Sequence, residues 1–292
     1  MNRLILRILR IFLWFSAITV PVAVMVLVIF IVFKGLPAIS LRLIFGDTNP
    51  LDALMLKQQV FEGIFPAMVG TFLVVILSVT WAIPLGILSG IYLAEFSGSH
   101  LKKFLDFSFD LLASVPSIVI GLFGLTVAIF LHKYLSRQIY PCLLISSISL
   151  AVLIVPYIVR TTQLSLDGVS YSTKLAGYSL GASKIQNLFR VVLPSAIHGI
   201  LGGVILAVGR AAEDTAVIML TGVVATAGIP GSVFEKFEAL PFYIYYISSQ
   251  YSDKSELLDG FGAAIILLII CGLLFCVAHL LKNVVVKKVY GF

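Results

Sequence analysis

The chain has 292 residues, 60% of them apolar and only 12% charged, against roughly 45–50% and 25% in soluble domains, so a water-soluble fold is excluded. Its net charge of +6 comes from 20 basic and 14 acidic residues, and in so apolar a chain the placement of the positive charges matters more than their sum. The cysteines Cys142, Cys271 and Cys276 fall inside apolar runs and the four histidines are scattered, a pattern without a disulfide framework or metal-ligand spacing. In chain order, the first uncharged run lies between Arg10 and Lys34. Its 23 residues are too many for the core of a cleaved signal, and it reads as an anchor helix. The run Gly63 to Ala94 has 32 residues, more than one straight span needs; Pro66 marks a helix start and Pro84 a kink or change of tilt. Two runs of 21 residues follow, Leu111 to Leu131 and Ile139 to Val159, and the last uncharged run is Phe261 to Leu281.

Between Arg190 and Glu235, two uncharged runs flank Arg210-Ala-Ala-Glu213-Asp214. The breakers, Pro194 and Gly228-Ile-Pro230-Gly231, stand at the ends, and nothing near Arg210 is a turn former. One helix from about His198 to Val223, centred on Arg210, is therefore expected. Six spans with both termini inside place twelve basic residues in cytoplasmic segments: Arg3, Arg7, Arg10, Lys102, Lys103, Arg160, Lys174, Lys184, Arg190, Lys282, Lys287 and Lys288. Seven are left outside, Lys34, Arg42, Lys57, Lys133, Arg137, Lys236 and Lys254, as the positive-inside rule requires. The fold class is an all-α integral membrane protein of six transmembrane helices, 1–292 forming one domain. It divides into an anchor helix and outer loop (1–62), a core (63–223) and an outer loop with the last span (224–292). The outer loops Gly35 to Phe61 and Val224 to Gly260 carry small and aromatic residues, Phe242, Tyr243, Tyr245, Tyr246 and Tyr251 among them, suited to an interfacial belt or a docking surface.

The loop of about 160–198 is the longest inside. Its small residues Ala176, Gly177, Gly181 and Ala182 are expected on neighbouring faces of one helix that admits close approach of another backbone. This predicts a helix-turn-helix packed on a cytoplasmic partner or under the bundle itself. Leu175-Ala-Gly-Tyr-Ser-Leu-Gly181 followed, nine residues on, by Val191-Val-Leu193-Pro194 resembles the "EAA" loop of ABC-importer permeases, with Leu175 in place of the Glu and Gly177 in place of the second Ala. The segments Glu62 to Thr71, Pro84 to Glu95, Ser114-Val-Pro116-Ser117-Ile-Val-Ile-Gly121-Leu-Phe-Gly124 and Arg210-Ala-Ala-Glu213-Asp214-Thr215-Ala216 resemble, in order, the phosphate-importer permeases of the A type (PstA-like). The resemblance implies a type I ABC-importer permease fold with a coupling helix between helices 4 and 5. It implies an ATPase dimer that uses ATP-Mg and is contacted through Leu175, Ala176, Gly177, Gly181, Ala182 and Pro194. It also implies a second permease, either a homologous PstC-like chain or a second copy, and an extracytoplasmic substrate-binding protein. No cofactor or nucleic acid is expected on this chain, which sits among the lipids of the cell membrane.

An arginine at the middle of a span costs roughly 2.5–3.5 kcal/mol on insertion scales and needs a partner. Glu213 and Asp214 stand at i+3 and i+4 from Arg210, on the helix side that Arg210 faces. Either the triad is a self-neutralised knot that ties the helix to its neighbours, or it is an anion gate in which a guanidinium meets a tetrahedral oxyanion in competition with a carboxylate. The resemblance implies the pair Arg210–Asp214, with Glu213 standing where the family has Gly. The substrate path is assigned to Arg210, Glu213, Asp214 and Thr215 with Ser114 and Ser117, the two serines lying within helix three. No G-x4-G-K-[ST] occurs in the chain, so ATP hydrolysis falls to another subunit, and no nucleophile–base pair accompanies the carboxylates to suggest an enzyme. The substrate is expected to be inorganic phosphate, another oxyanion such as molybdate or sulfate being the alternative. A non-transporting scaffold or sensor is the reading from a different class.

Overall fold

The computed structural model describes residues 3–55, 59–60, 62–135 and 140–290. Lys57, Phe61, Arg137 and Ile139 lie outside the described residues. The helices, in order, are α1 (Arg3–Gly35), α2 (Leu41–Phe45), α3 (Pro50–Leu54), α4 (Phe65–Ile91), α5 (Ser99–Ser114), α6 (Ser117–Tyr134) and α7 (Leu143–Asp167). They are followed by α8 (Tyr171–Ser179), α9 (Lys184–Asn187), α10 (Leu193–Glu213), α11 (Ala216–Thr221), α12 (Leu240–Gln250) and α13 (Lys254–Tyr290). A turn of 3-10 helix follows α1, and π-turns close α4 and open α10. Among the described residues, six helical segments are long and apolar enough to cross a membrane: Leu9–Ala38, Phe65–Phe96, Ser117–Tyr134, Leu143–Asp167, Lys184–Glu213 and Lys254–Lys288.

Three expectations about the spans are corrected. The run Leu111 to Leu131 is not one helix. It breaks at Val115 and Pro116, both extended, because the proline ring disfavours helical backbone in the residue before it. Ser114 therefore ends α5, and Ser117 opens α6. The fourth span continues past Val159 through Arg160 to Asp167, so the segment joining it to the next is shorter than the charge pattern implied. Finally, the helix that carries Arg210 does not continue to Val223: α10 stops at Glu213, Asp214 is extended (φ −75°, ψ 126°), and the short α11 begins at Ala216.

The core is built from α4, α7 and α10, with α13 and α11 against them. Lipid tails are as apolar as leucine, so close packing rather than burial from water must hold such helices together. Small residues supply it here. Gly86 and Gly90 of α4 lie against Ile158 and Thr162 of α7, and a Cβ on either would stand 2.6 Å from its neighbour. Gly199 and Gly203 of α10 meet Ser165 and Thr161 of α7 in the same way. Gly121 and Gly124 of α6 receive α11, the first against the Ala216 carbonyl and the second against Thr221 and Ser149. The glycines of the Ser114 to Gly124 segment are therefore packing surfaces. In contrast, α1 touches mainly α13, with Phe30 and Phe261 edge to face at 5.8 Å, and most of its apolar side chains among the described ones are exposed.

Candidate functional site

The helix-turn-helix between α7 and α10 is specified by caps. Ser170 accepts from the Thr173 amide at 3.2 Å and starts α8. After Ser179 the chain turns through Gly181 at φ +79°, a left-handed conformation that glycine adopts without steric cost. The Ala182 amide donates to the Gly177 carbonyl at 3.1 Å and the Gly181 amide to that of Tyr178 at 2.9 Å, the paired bonds of a Schellman cap. Ser183 and Gln186 then form a capping box that opens α9. The four small residues are thus not on one helix: Ala176 and Gly177 belong to α8, while Gly181 and Ala182 form the turn. Gly177 faces inward, where a Cβ would collide with Asn187 Oδ1, and the Asn187 amide donates to the Lys174 carbonyl at 2.9 Å. Gly181 has open space around it, so its role is conformational.

What the loop presents outward is apolar. Tyr171, Leu175 and Tyr178 are exposed at helical spacing on α8, and Leu180 beside them is 90% exposed. Leu175 thus replaces a carboxylate by a greasy contact within a continuous stripe. The loop is tied to the rest of the chain by charge: Lys174 pairs with Glu95 at 2.6 Å, and Lys184 lies 4.7 Å over the Phe96 ring. One step further on, Arg160 forks onto Asp106 and Asp110 of α5, with Nη1 to Asp106 at 3.1 Å, Nε to Asp110 at 2.9 Å and Nη1 to Gln163 at 3.0 Å. Lys102 reaches Asp167 at 3.5 Å. The polar face of α5 is thereby fixed to α7, leaving Phe104 and Phe107 exposed. Arg160 entered the sequence reading only as a topology charge; the spacing of Lys102, Asp106 and Asp110 at i, i+4 and i+8 was the signal that α5 carries a charged stripe.

The break after Glu213 separates the residues expected to act together. Arg210 Nη1 donates to Glu213 Oε1 at 3.0 Å. Asp214, buried, turns away and accepts from the Val217 amide at 2.8 Å, so it caps α11 instead of pairing with Arg210 as the resemblance implied. The Ser117 hydroxyl at the start of α6 lies close enough to support the same carboxylate. Thr215 supplies the backbone of the break and accepts from the Met219 amide at 3.0 Å. Ser114 donates to its own Leu111 carbonyl at 2.7 Å and joins neither group.

Arg210 and Glu213 form one wall of a cavity of about 590 Å³, whose other walls include Tyr157 of α7, Ile244 of α12 and Leu267, Cys271 and Phe275 of α13. Cys271 is the midpoint of the uncharged run Phe261 to Leu281, so the cavity that the ion pair lines reaches the middle of α13. Tyr157 and Cys271 were not foreseen; Tyr157 falls one residue after Pro156 inside an uncharged run and has no local signature. Between α11 and α12, the buried Glu238 carboxylate accepts from the amides of Ala227 and Gly228, both at 2.8 Å, and so closes that segment. Burial pushes the Glu238 pKa above the ordinary glutamate value, against the lowering effect of the two amides.

Residues 82–290 match the family described as "Binding-protein-dependent transport system inner membrane component". A phosphate transport system permease protein PstA from Haemophilus influenzae is 31% identical over 82% of this chain and 81% of its own length. One from Yersinia pestis is 33% identical over 72% and 71%. A solved bacterial alginate ABC transporter, in complex with its pentasaccharide-bound periplasmic protein, has a chain that superposes with a TM-score of 0.64 at 16% identity, covering 94% of this chain and 95% of that one. The MetNI methionine ABC transporter superposes at 0.55 with 15% identity, over 83% and 99%. These structures share the fold, and the sequence relatives place the chain more narrowly: it belongs to the binding-protein-dependent transport system inner membrane components, and among them to the PstA-type phosphate transport permeases.

Proposed function

We propose that this chain forms half of the transmembrane path of an ATP-driven importer of inorganic phosphate, lying in the cell membrane with both termini cytoplasmic. The observation that carries this reading is Arg210, a guanidinium in the last turn of a membrane span, paired with the Glu213 carboxylate on the wall of a large cavity. A guanidinium stays charged in that setting and offers parallel donors to a tetrahedral oxyanion. Glu213 holds it when the path is empty, so a passing anion competes with an internal partner and is released again. A conduit requires such transient binding.

ATP-Mg is used by a separate ATPase dimer, which docks on the Tyr171, Leu175, Tyr178 and Leu180 surface. The Schellman turn at Gly181 keeps α8 and α9 as one rigid unit, so a push on this surface reaches α4 through Lys174–Glu95. An extracytoplasmic binding protein delivers the anion, and a second permease, homologous or identical, completes the path. The test is uptake of labelled phosphate, sulfate and molybdate in cells lacking this gene and supplied with the wild-type chain or Arg210→Gln. Restoration of phosphate uptake by the wild type alone supports the reading; loss of molybdate or sulfate uptake with phosphate uptake intact overturns it in favour of another oxyanion.

A further inference from the structure

We infer that Glu213 makes the Arg210 cavity selective for oxyanions that still carry a proton, so that phosphate is accepted and sulfate and molybdate are refused. The inference rests on reading the cavity as the anion path, and it follows from unmet hydrogen-bonding capacity on one wall. Arg210 spends Nη1 on Glu213 Oε1, and its Nε is buried without a partner among the described residues. The Glu213 side chain is 62% exposed and makes its bond to Arg210 through Oε1 alone, leaving Oε2 with accepting capacity. The wall therefore offers a cationic donor and an anionic acceptor side by side. Apart from these two residues and Tyr157, the cavity is lined by apolar side chains, the Cys271 thiol and glycine, so little else is present to satisfy a mismatched ligand.

An ionised carboxylate only accepts hydrogen bonds. Sulfate and molybdate at neutral pH have no proton to give, so beside Arg210 their oxygens face Glu213 lone pair against lone pair and charge against charge. The monohydrogen and dihydrogen forms of phosphate meet the same wall with both polarities: anionic oxygens take the guanidinium donors while the P–OH donates to Glu213. Arsenate shares this property. A second negative charge next to an anion path thus acts as a filter for the protonated oxyanion. Sites built to pair a ligand hydroxyl reject analogues that lack it far more strongly than apolar pockets reject a missing methylene.

Cys271 lines the same cavity and reports on its occupation. The assembled transporter, without binding protein, is placed in lipid nanodiscs with Cys276→Ser, and alkylation of Cys271 by a small maleimide is read at its own peptide. Phosphate and arsenate are expected to slow labelling, with sulfate needing a concentration roughly 100-fold higher for the same protection. In Glu213→Gln, whose amide donates as well as accepts, that ratio falls below about fivefold. Equal protection by sulfate and phosphate in the wild type overturns the filter while leaving the anion path in place. Absence of protection by every anion, with Arg210→Gln indistinguishable from wild type, overturns the path itself. A Glu213→Gln protein that assembles but loses protection by all anions shows that Glu213 serves only to hold Arg210, which also overturns the filter. The wild-type comparison decides between the first two outcomes whether or not the variant assembles.

Discussion

Replacing Asp214 separates a cap from a counter-ion. In the structure its carboxylate accepts the Val217 amide at 2.8 Å in a buried setting, and that amide is one of the first donors of α11, with no carbonyl of its own helix to bind. Asp214→Ala removes a cap worth about 1 kcal/mol and leaves a buried donor unpaired, which brings the local cost to about 2 kcal/mol. At 1.4 kcal/mol per factor of ten, hydrogen exchange at Val217 should quicken about 30-fold. Amides of α4 and α7 should be unchanged. Asp214→Asn retains an oxygen acceptor of equal capping strength, so its exchange stays within about threefold of wild type and its transport survives. The measurement is exchange by mass spectrometry on the complex in nanodiscs, with phosphate uptake in parallel. Unaltered Val217 exchange in the alanine variant would refute the cap; transport lost in the asparagine variant with exchange retained would show that the charge itself acts in the path, as the expected Arg210–Asp214 pair requires.

Arg210→Gln should abolish labelled-phosphate uptake while the partner chains still co-purify, since among the described residues Arg210 hydrogen-bonds to its neighbour three residues away; loss of assembly would make the ion pair structural. Gly181→Ala forces a side chain into φ +79° at about 1 kcal/mol and should weaken ATPase co-purification, whereas Gly181→Asn, which tolerates that conformation, stays near wild type. Gly177→Ala should weaken it more, because its Cβ meets Asn187. The Glu238 carboxyl has its folded-state pKa raised by burial, so the protonated form is favoured by the closed loop. The contribution of Glu238 to closure is full below the ordinary glutamate pKa and is lost as pH rises through the raised value. Exchange at Ala227 and Gly228, corrected for intrinsic rates, should accelerate across that window in the wild type and stay flat in Glu238→Gln.

The count of spans was legible because a helix in lipid needs an uncharged run, and five of those runs are bounded by charge. The loop between α7 and α10 was legible for a similar reason: Ser170, Gly181 and the Ser183–Gln186 pair are cap residues with local signatures. Helix breaks within an uncharged run have no such marker. Pro116 was visible, but proline is compatible both with a kinked span and with two helices, and only the packing of α6 on α11 through Gly121 and Gly124 settles which. The break at Asp214 involves no proline or glycine. Its determinant is a side chain that bonds the backbone three residues on, and a carboxylate at that position reads equally well as an i+4 partner of Arg210. Long-range partners such as Tyr157 or the Asp106–Arg160–Asp110 fork depend on how α7 is rotated against its neighbours, which local spacing does not encode.

The break also fixes the charge of the cavity. Had the helix continued, Glu213 and Asp214 would both have faced Arg210, and one cation among two carboxylates leaves a net negative wall that repels any anion. Ending α10 at Glu213 swings Asp214 to the start of α11, where freed amide donors and the positive end of the helix stabilise it, and where Ser117 of α6 adds support. The wall keeps one cation and one carboxylate and is neutral overall. Two adjacent acidic residues thereby take different tasks, Asp214 joining two helix segments across α6 and Glu213 remaining with Arg210. A neutral, ditopic wall admits an anion that brings its own proton, and the same wall with the second carboxylate turned back toward it would admit none.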